Sequence, residues 1–233
     1  MGGTVSVLRQ STDRLAATVR QAQGGRDDVL RPLDTLPALA GLLPHGALRA
    51  GATYSVVGST ALTMALVAGP SAAGAWCGVV GMPGFAAPTA ADLGIDLDRL
   101  VLVPDPGSRW LSVVGALIDS LAVVVVRPPT AVRDAEAARI AARLRQREAV
   151  LITCGAWPRH EANLAITESS WLGVGAGHGH LTARQATISV EGRGTAVRPR
   201  QARLWLPDAE GVVRVADEPA TTDAPVWTRE AVG

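Results

Sequence analysis

The sequence predicts an α/β fold, a mainly parallel sheet flanked by helices with C-terminal antiparallel strands. Three observations carry this. Between residues 53 and 153 short apolar runs alternate with segments of helical periodicity, which implies crossover connections and a parallel sheet. After Cys154 the strand-like runs continue but the helical segments stop, which suits hairpins. A chain of 233 residues that is 48% hydrophobic can bury one sizeable core.

Taken in order, Val5, Leu8, Leu15 and Val19 fall on one side of a helical pattern that Gly24 and Gly25 stop, so residues 1–25 read as an N-terminal amphipathic helix. Residues 33–46, with Pro37 and Pro44, read as a loop-rich connection. Strands buried on both faces are expected at 53–57, 75–80, 100–103, 121–126 and 149–153. The run Val123-Val124-Val125-Val126 is the clearest central strand, since β-branched residues suit a doubly covered sheet. Helices are expected at 61–67, 89–93, 110–120 and 131–147, and in the last Ala137, Ile140, Ala141 and Leu144 form one apolar face. Strands at 163–168, 186–191 and 202–206 follow, separated by Gly-rich turns. The domain reading is therefore a core over residues 26–206 and a flexible, polar C-terminal tail over 207–233.

Composition excludes several classes of function. Twenty-two basic residues against 21 acidic leave a net charge of +1, too little for a general nucleic-acid coat protein, although a local basic strip stays open. Aromatics are 3%, so base-stacking platforms are scarce. Two cysteines, Cys77 and Cys154, build neither a disulfide framework nor a closed zinc site, and a reducing cytoplasm is expected. Asp13 and Arg14 interrupt any signal-peptide pattern, and Gly69, Pro70, Gly74 and Pro83 break the most apolar stretch, so no membrane association is expected. All 22 basic residues are arginine. Arginine cannot replace the compact ammonium of lysine in a tight phosphate site, so Schiff-base chemistry and the standard P-loop are excluded.

The order of elements and several motifs resemble the RecA core over roughly residues 30–206. Leu43-Pro44-His45-Gly46-Ala47-Leu48-Arg49-Ala50-Gly51 is similar to the segment that precedes the phosphate-binding loop in that family. Leu93-Gly94-Ile95-Asp96-Leu97-Asp98-Arg99-Leu100 resembles the sequence before a RecA strand, and residues 121–127 match the Walker B strand in position. Residues 186–194 and 202–206 resemble the late hairpin region. The resemblance implies a RecA-like core with a degenerate nucleotide site. A P-loop is G-x-x-x-x-G-K-[ST], but here strand 53–57 runs directly into Gly58-Ser59-Thr60, with Ser59 at the lysine position and Thr60 at the Mg²⁺ hydroxyl. Arg127 follows the strand where the Walker B Asp belongs, and Met82 stands where the family places its water-orienting Glu. The expectation is a non-enzyme with no cofactor, in which Gly58, Ser59 and Thr60 turn the chain and cap a helix.

Among RecA-like families a short, degenerate member of this kind most resembles the ImuA-prime group. That resemblance implies a non-catalytic accessory subunit of a DNA-damage-induced mutasome, acting in the SOS response and supporting error-prone translesion synthesis. It implies as partners an ImuB-like Y-family polymerase homologue and an error-prone replicative-type DNA polymerase, with partner binding in about residues 207–233. It also implies a cytoplasmic location, nucleoid-associated when damage is present. Two alternatives stay open: an ATP-independent single-stranded-DNA-binding RecA paralogue, and a cell-division inhibitor of the SOS type.

Arg139, Arg143 and Arg147, with Arg145 beside them, form a basic ridge at helical spacing. Arg184, Arg193, Arg198, Arg200 and Arg203 form a second basic stretch beside the Gly-rich loop 173–179, where a RecA resemblance places a mobile DNA-binding loop. Either could meet DNA phosphate or an acidic partner, or be solvated edge charge. Trp227, isolated in the acidic tail, could be buried by a partner groove. His178 and His180 make the only H-x-H, for which His160 or Glu161 would be the nearby further ligands; no metal site is expected on that count.

Overall fold

The computed structural model describes residues 32–175, 178–192 and 199–216. A short ribbon comes first, β1 (Pro32–Leu33) with β2 (Leu48–Arg49), enclosing helix α1 (Pro37–Ala40) and a 3-10 turn (Pro44–Gly46). Strand and helix then alternate: β3 (Thr53–Val57), α2 (Thr60–Ala72), β4 (Cys77–Val80), α3 (Ala87–Asp92), β5 (Leu100–Val103), α4 (Trp110–Ile118), β6 (Val123–Val126), α5 (Asp134–Arg147) and β7 (Val150–Cys154). Strands β8 (Ala162–Gly175), β9 (His178–Gly192), β10 (Arg200–Trp205) and β11 (Arg214–Val215) follow without helices.

Nine of these strands form one sheet in the order β11-β10-β9-β8-β3-β7-β6-β4-β5. From β5 to β8 every pairing is parallel, and from β8 to β11 every pairing is antiparallel. The fold is thus α/β, mainly parallel and helix-flanked, with antiparallel C-terminal strands. No helix among the described residues is long and apolar enough to cross a membrane.

The two faces of the sheet divide the core. Val123 and Val125 face a cluster with Tyr54, Val56, Ile152, Leu164 and the residues of α2, while Val124 and Val126 face Trp110, Val114, Ile140, Leu144 and Leu151 under α4 and α5. That alternation is why an unbroken valine run reads as a central strand. Helix α2 is buried continuously from Leu62 to Ser71, so it is apolar all round instead of striped. Residues 34–36 cross it at Gly69, where any Cβ would stand 2.8 Å from the Asp34 carbonyl oxygen. The motif around Asp96 is a structural turn: Gly94 takes φ +89°, the Asp96 carboxylate accepts the Asp98 N–H, and the Asp96 N–H donates to Ser71.

Several expectations change. The 33–46 connection contains α1 and belongs to the β1–β2 ribbon, because Leu39, Leu42, Leu43 and Leu48 are all buried against the core. The strands expected at 163–168 and 186–191 extend to 162–175 and 178–192, so the Gly-rich run is mostly the end of a hairpin and not a free loop. Its distal part lacks apolar alternation; cross-strand pairing, which periodicity does not report, makes it a strand. The sheet also takes in residues past Leu206: a turn on Asp208, whose carboxylate accepts the N–H groups of Glu210 and Val212, returns the chain to β11. The expected N-terminal helix and residues 217–233 lie outside the described residues.

Candidate functional site

In open α/β sheets ligands collect at the carboxyl ends of the strands. Here the ends of β3, β6 and β7 enclose a cleft of about 270 Å³, lined by Val56, Gly58, Ser59, Thr60, Arg127, Cys154 and Gly155. Gly58, at φ +73° with open space around it, lets β3 turn sharply into α2. Ser59 is the N-cap of that helix: its hydroxyl accepts the Leu62 N–H at 3.1 Å, and its carbonyl accepts both the N–H and the hydroxyl of Thr63. Thr60 is the first helical residue.

The other wall is equally close-built. Gly81, φ +73°, would put a Cβ 2.6 Å from the Arg127 carbonyl, and the Arg127 N–H donates to Val80, so the ends of β4 and β6 are locked together. The Arg127 guanidinium is exposed and forms no ion pair among the described residues. Under it, the Cys154 Sγ lies 3.6 Å from the Thr63 hydroxyl and 3.7 Å from the Met82 sulfur. Burial raises the Cys154 pKa, against the opposing hydrogen bond of Thr63 and charge of Arg127, so the thiol is not an activated nucleophile. Ser55 and Thr153 donate their hydroxyls to the Gly155 carbonyl at 2.6 and 3.2 Å, fixing the floor.

Of the predicted site residues, the structure brings Gly58, Ser59, Thr60 and Arg127 together around one cleft and sets Met82, 4% exposed, beneath it against Cys154. Sequence reasoning missed Cys154 and Gly155. They end a predicted strand just as Gly58 and Arg127 do, and the strand-end rule applied to that strand would have found them. The lining fits a magnesium nucleotide poorly. It offers no lysine and no carboxylate, and the Ser59 hydroxyl serves the backbone of α2.

The arginine candidates do not form the expected surfaces. Arg143 and Arg147 both bind the Asp119 carboxylate at the end of α4, which removes them from a free basic ridge. Arg139 and Arg145 stay exposed. In the second stretch, Arg200 donates to the Leu43 carbonyl at 2.6 Å and Arg184 stacks 5.3 Å from the Trp171 ring. Arg203 pairs across from Thr187, one strand position off the core-facing Ala186 and Ile188, so it and Arg184 lie on opposite faces of the sheet. Arg193, Arg198 and Trp227 lie outside the described residues. His160 and Glu161 precede β8 whereas His180 lies at its far end, so these residues share no site. Among the described residues there is no group of three or more metal-ligating side chains. Cys77 is fully buried, with its pKa pushed up to about 12 by burial, a packed thiol.

Residues 41–159 match the family described as the MT3502 N-terminal domain, a span that holds the whole cleft and ends just before β8. An uncharacterized protein of Mycobacterium tuberculosis (strain ATCC 25618 / H37Rv), Rv3395c, is 34% identical over 128 residues, which is 53% of this chain and 63% of that protein. The chain therefore spans less than two thirds of that relative's length.

Proposed function

The chain belongs to the family of the MT3502 N-terminal domain, and from that premise we propose that it is a RecA-like, non-catalytic accessory subunit of a DNA-damage-induced mutasome. In this reading it supports error-prone translesion synthesis by binding an ImuB-type adaptor, and an error-prone replicative-type polymerase completes the assembly. The observation that carries it is the cleft. It keeps the position of a nucleotide site, at the carboxyl ends of β3, β6 and β7, without the lysine and the carboxylates that phosphoryl transfer uses. Arg127 stands at the end of β6 where a metal-binding acid belongs, and Ser59 has become a helix cap. A core that holds this shape through hydroxyl-to-backbone bonds is a scaffold, and a scaffold acts through what it binds.

The test is binding. The full chain should bind an ImuB-type adaptor, and the affinity should fall at least tenfold on deletion of residues 217–233 or with Trp227→Ala. It should show no ATP turnover. Undiminished adaptor binding by both variants removes the tail from the reading. Turnover that disappears with Thr60→Ala overturns the non-catalytic assignment.

A further inference from the structure

Among the described residues seven arginines pair with a carboxylate. Every described arginine without one is exposed to water except Arg184, which is half-buried. Its Nε is the one enclosed side-chain polar atom, among the described residues, that has no hydrogen-bond partner. Burial pulls its pKa down, and no neighbouring charge opposes that pull. A cation drawn partly out of water without an anion is costly, and a carboxylate relieves that cost.

The hairpin shows what surrounds it. Arg184 pairs across from Trp171, its guanidinium carbon is 5.3 Å from the indole centroid, and its Nη2 donates to the Ser169 hydroxyl at 3.3 Å. By the two-residue period of a strand, Arg184 shares the face that bears Ala186 and Ile188. Trp171 is nevertheless 51% exposed. Cation and ring thus form one platform, open on one side, that suits a carboxylate followed by an aromatic group.

The chain carries such a segment within reach. Ala216, the last described residue, donates its N–H to the Arg203 carbonyl, and Arg203 pairs with Thr187, three positions along β9 from Arg184. Three residues of rise and two strand spacings put Ala216 about 14 Å from Arg184. Strand β11 runs away from Arg184, so Asp217 and Glu218 are too near the exit to come back to it. Asp223 follows Ala216 by seven residues, about 23 Å of extended chain, and is the first acid with the length to return. Residues 217–233 hold four acids against one arginine, and Trp227 stands four positions after Asp223.

We propose that residues 217–233 fold back onto this face of the β8–β9 hairpin, the Asp223 carboxylate pairing with the Arg184 guanidinium and Trp227 covering Trp171. The occupant is the chain's own tail because its charge is opposite and its tether holds it at an effective concentration on the order of millimolar. The platform lies outside the family match, which ends at residue 159. The inference does not rest on the proposed function, and its test uses the full chain alone.

In a Cys154→Ser background, Ser169→Cys with Ala224→Cys should close an intramolecular disulfide under mild oxidation. It should do so roughly tenfold faster than Ser170→Cys with Ala224→Cys, since Ser170 lies on the opposite face of the hairpin. Asp223→Arg should slow the faster closure roughly tenfold, Arg184→Glu should do the same, and the two together should restore it. Asp223→Arg alters no residue of the sheet, so it reads the contact even where Arg184→Glu disturbs folding. Equal rates from the two faces overturn the proposal, as does a rate indifferent to Asp223→Arg. Links that form only between chains, faster at higher protein concentration, would assign the platform to a second copy and overturn it too.

Discussion

The parallel and antiparallel halves of this protein share one sheet but are held by different means. Strands β4, β6 and β7 are covered on both faces, and Val124, Val125, Leu151 and Ile152 are at most 1% exposed. From β8 to β11 only the face bearing Leu164, Ala186, Ile188, Val190 and Leu204 packs into the core. The other carries Gln185, Thr187, Ser189, Gln201 and Arg203, joined by side-chain hydrogen bonds such as Gln201 to Thr167. The first half is stabilised by apolar burial, which is costly to lose. The second is stabilised by backbone pairing, which is nearly indifferent to outward side chains.

The largest expected effect breaks the first half. Leu151, fully buried beneath α4 and α5, should cost about 3 kcal/mol on replacement by Ala, the lost transfer energy plus the cavity. Gln201→Ala on the open face should stay within about 0.5 kcal/mol. Denaturant unfolding of both variants reads the contrast, and equal losses would mean the halves are not stabilised differently.

The same division explains what the sequence revealed. Double burial writes itself as apolar runs, so 53–57 could be read to the residue, as could the apolar edge strand 100–103, and the helices between them to within a few positions. Backbone pairing leaves no such mark. The strand from Ser169 to Gly175 is Ser, Gly and scattered apolar residues, and only its partner makes it a strand. β11 is the same case, fixed by the Asp208 turn. At the cleft, residues defined by chain position were legible: Gly58, Ser59, Thr60 and Arg127 follow strands. The Ser59 cap of α2 was legible with them, but Met82 sinking against Cys154 was not, because it depends on packing that spacing does not encode. The arginine ridge failed for a related reason, since helical spacing puts Arg143 and Arg147 on one face without disclosing that Asp119 lies opposite.

A second experiment sharpens the contrast at the seam, β3, which has a parallel neighbour on each side. Tyr54 is fully buried and its hydroxyl accepts the Arg49 N–H at 2.9 Å, joining β3 to the β1–β2 ribbon. Burial pushes its pKa up to about 12, partly offset by that hydrogen bond. The unfolded chain ionises from pH 10, so it binds fewer protons than the folded one above that point. The contribution is complete below pH 10 and is lost as pH rises toward 12, about 2–3 kcal/mol in all. Tyr54→Phe should flatten this alkaline loss while costing about 1–2 kcal/mol at neutral pH, because the Arg49 N–H loses its acceptor.

A smaller effect in the buried half tests whether electrostatics add anything to it. Asp119 ends α4, where a carboxylate opposes the helix dipole, so its place there needs compensation. Arg143 and Arg147 of α5 supply it, and Gly115 leaves room: a Cβ there would stand 2.9 Å from the Arg143 guanidinium. The hydrogen bond from Arg143, with that of Arg147 and both charges, holds the Asp119 carboxyl below the usual carboxylate range against a smaller opposing effect of burial. A depressed folded pKa contributes stability above the unfolded value and loses it as pH falls through the folded one. The site is partly exposed and screened, so Asp119→Asn should cost only about 1 kcal/mol at neutral pH. That cost should shrink with added salt and vanish in acid, whereas the Leu151→Ala loss should not respond to salt screening. A salt-independent cost for Asp119→Asn would mean that the pair acts by packing the Arg143 stem over Gly115, and that apolar contact alone holds α4 to α5.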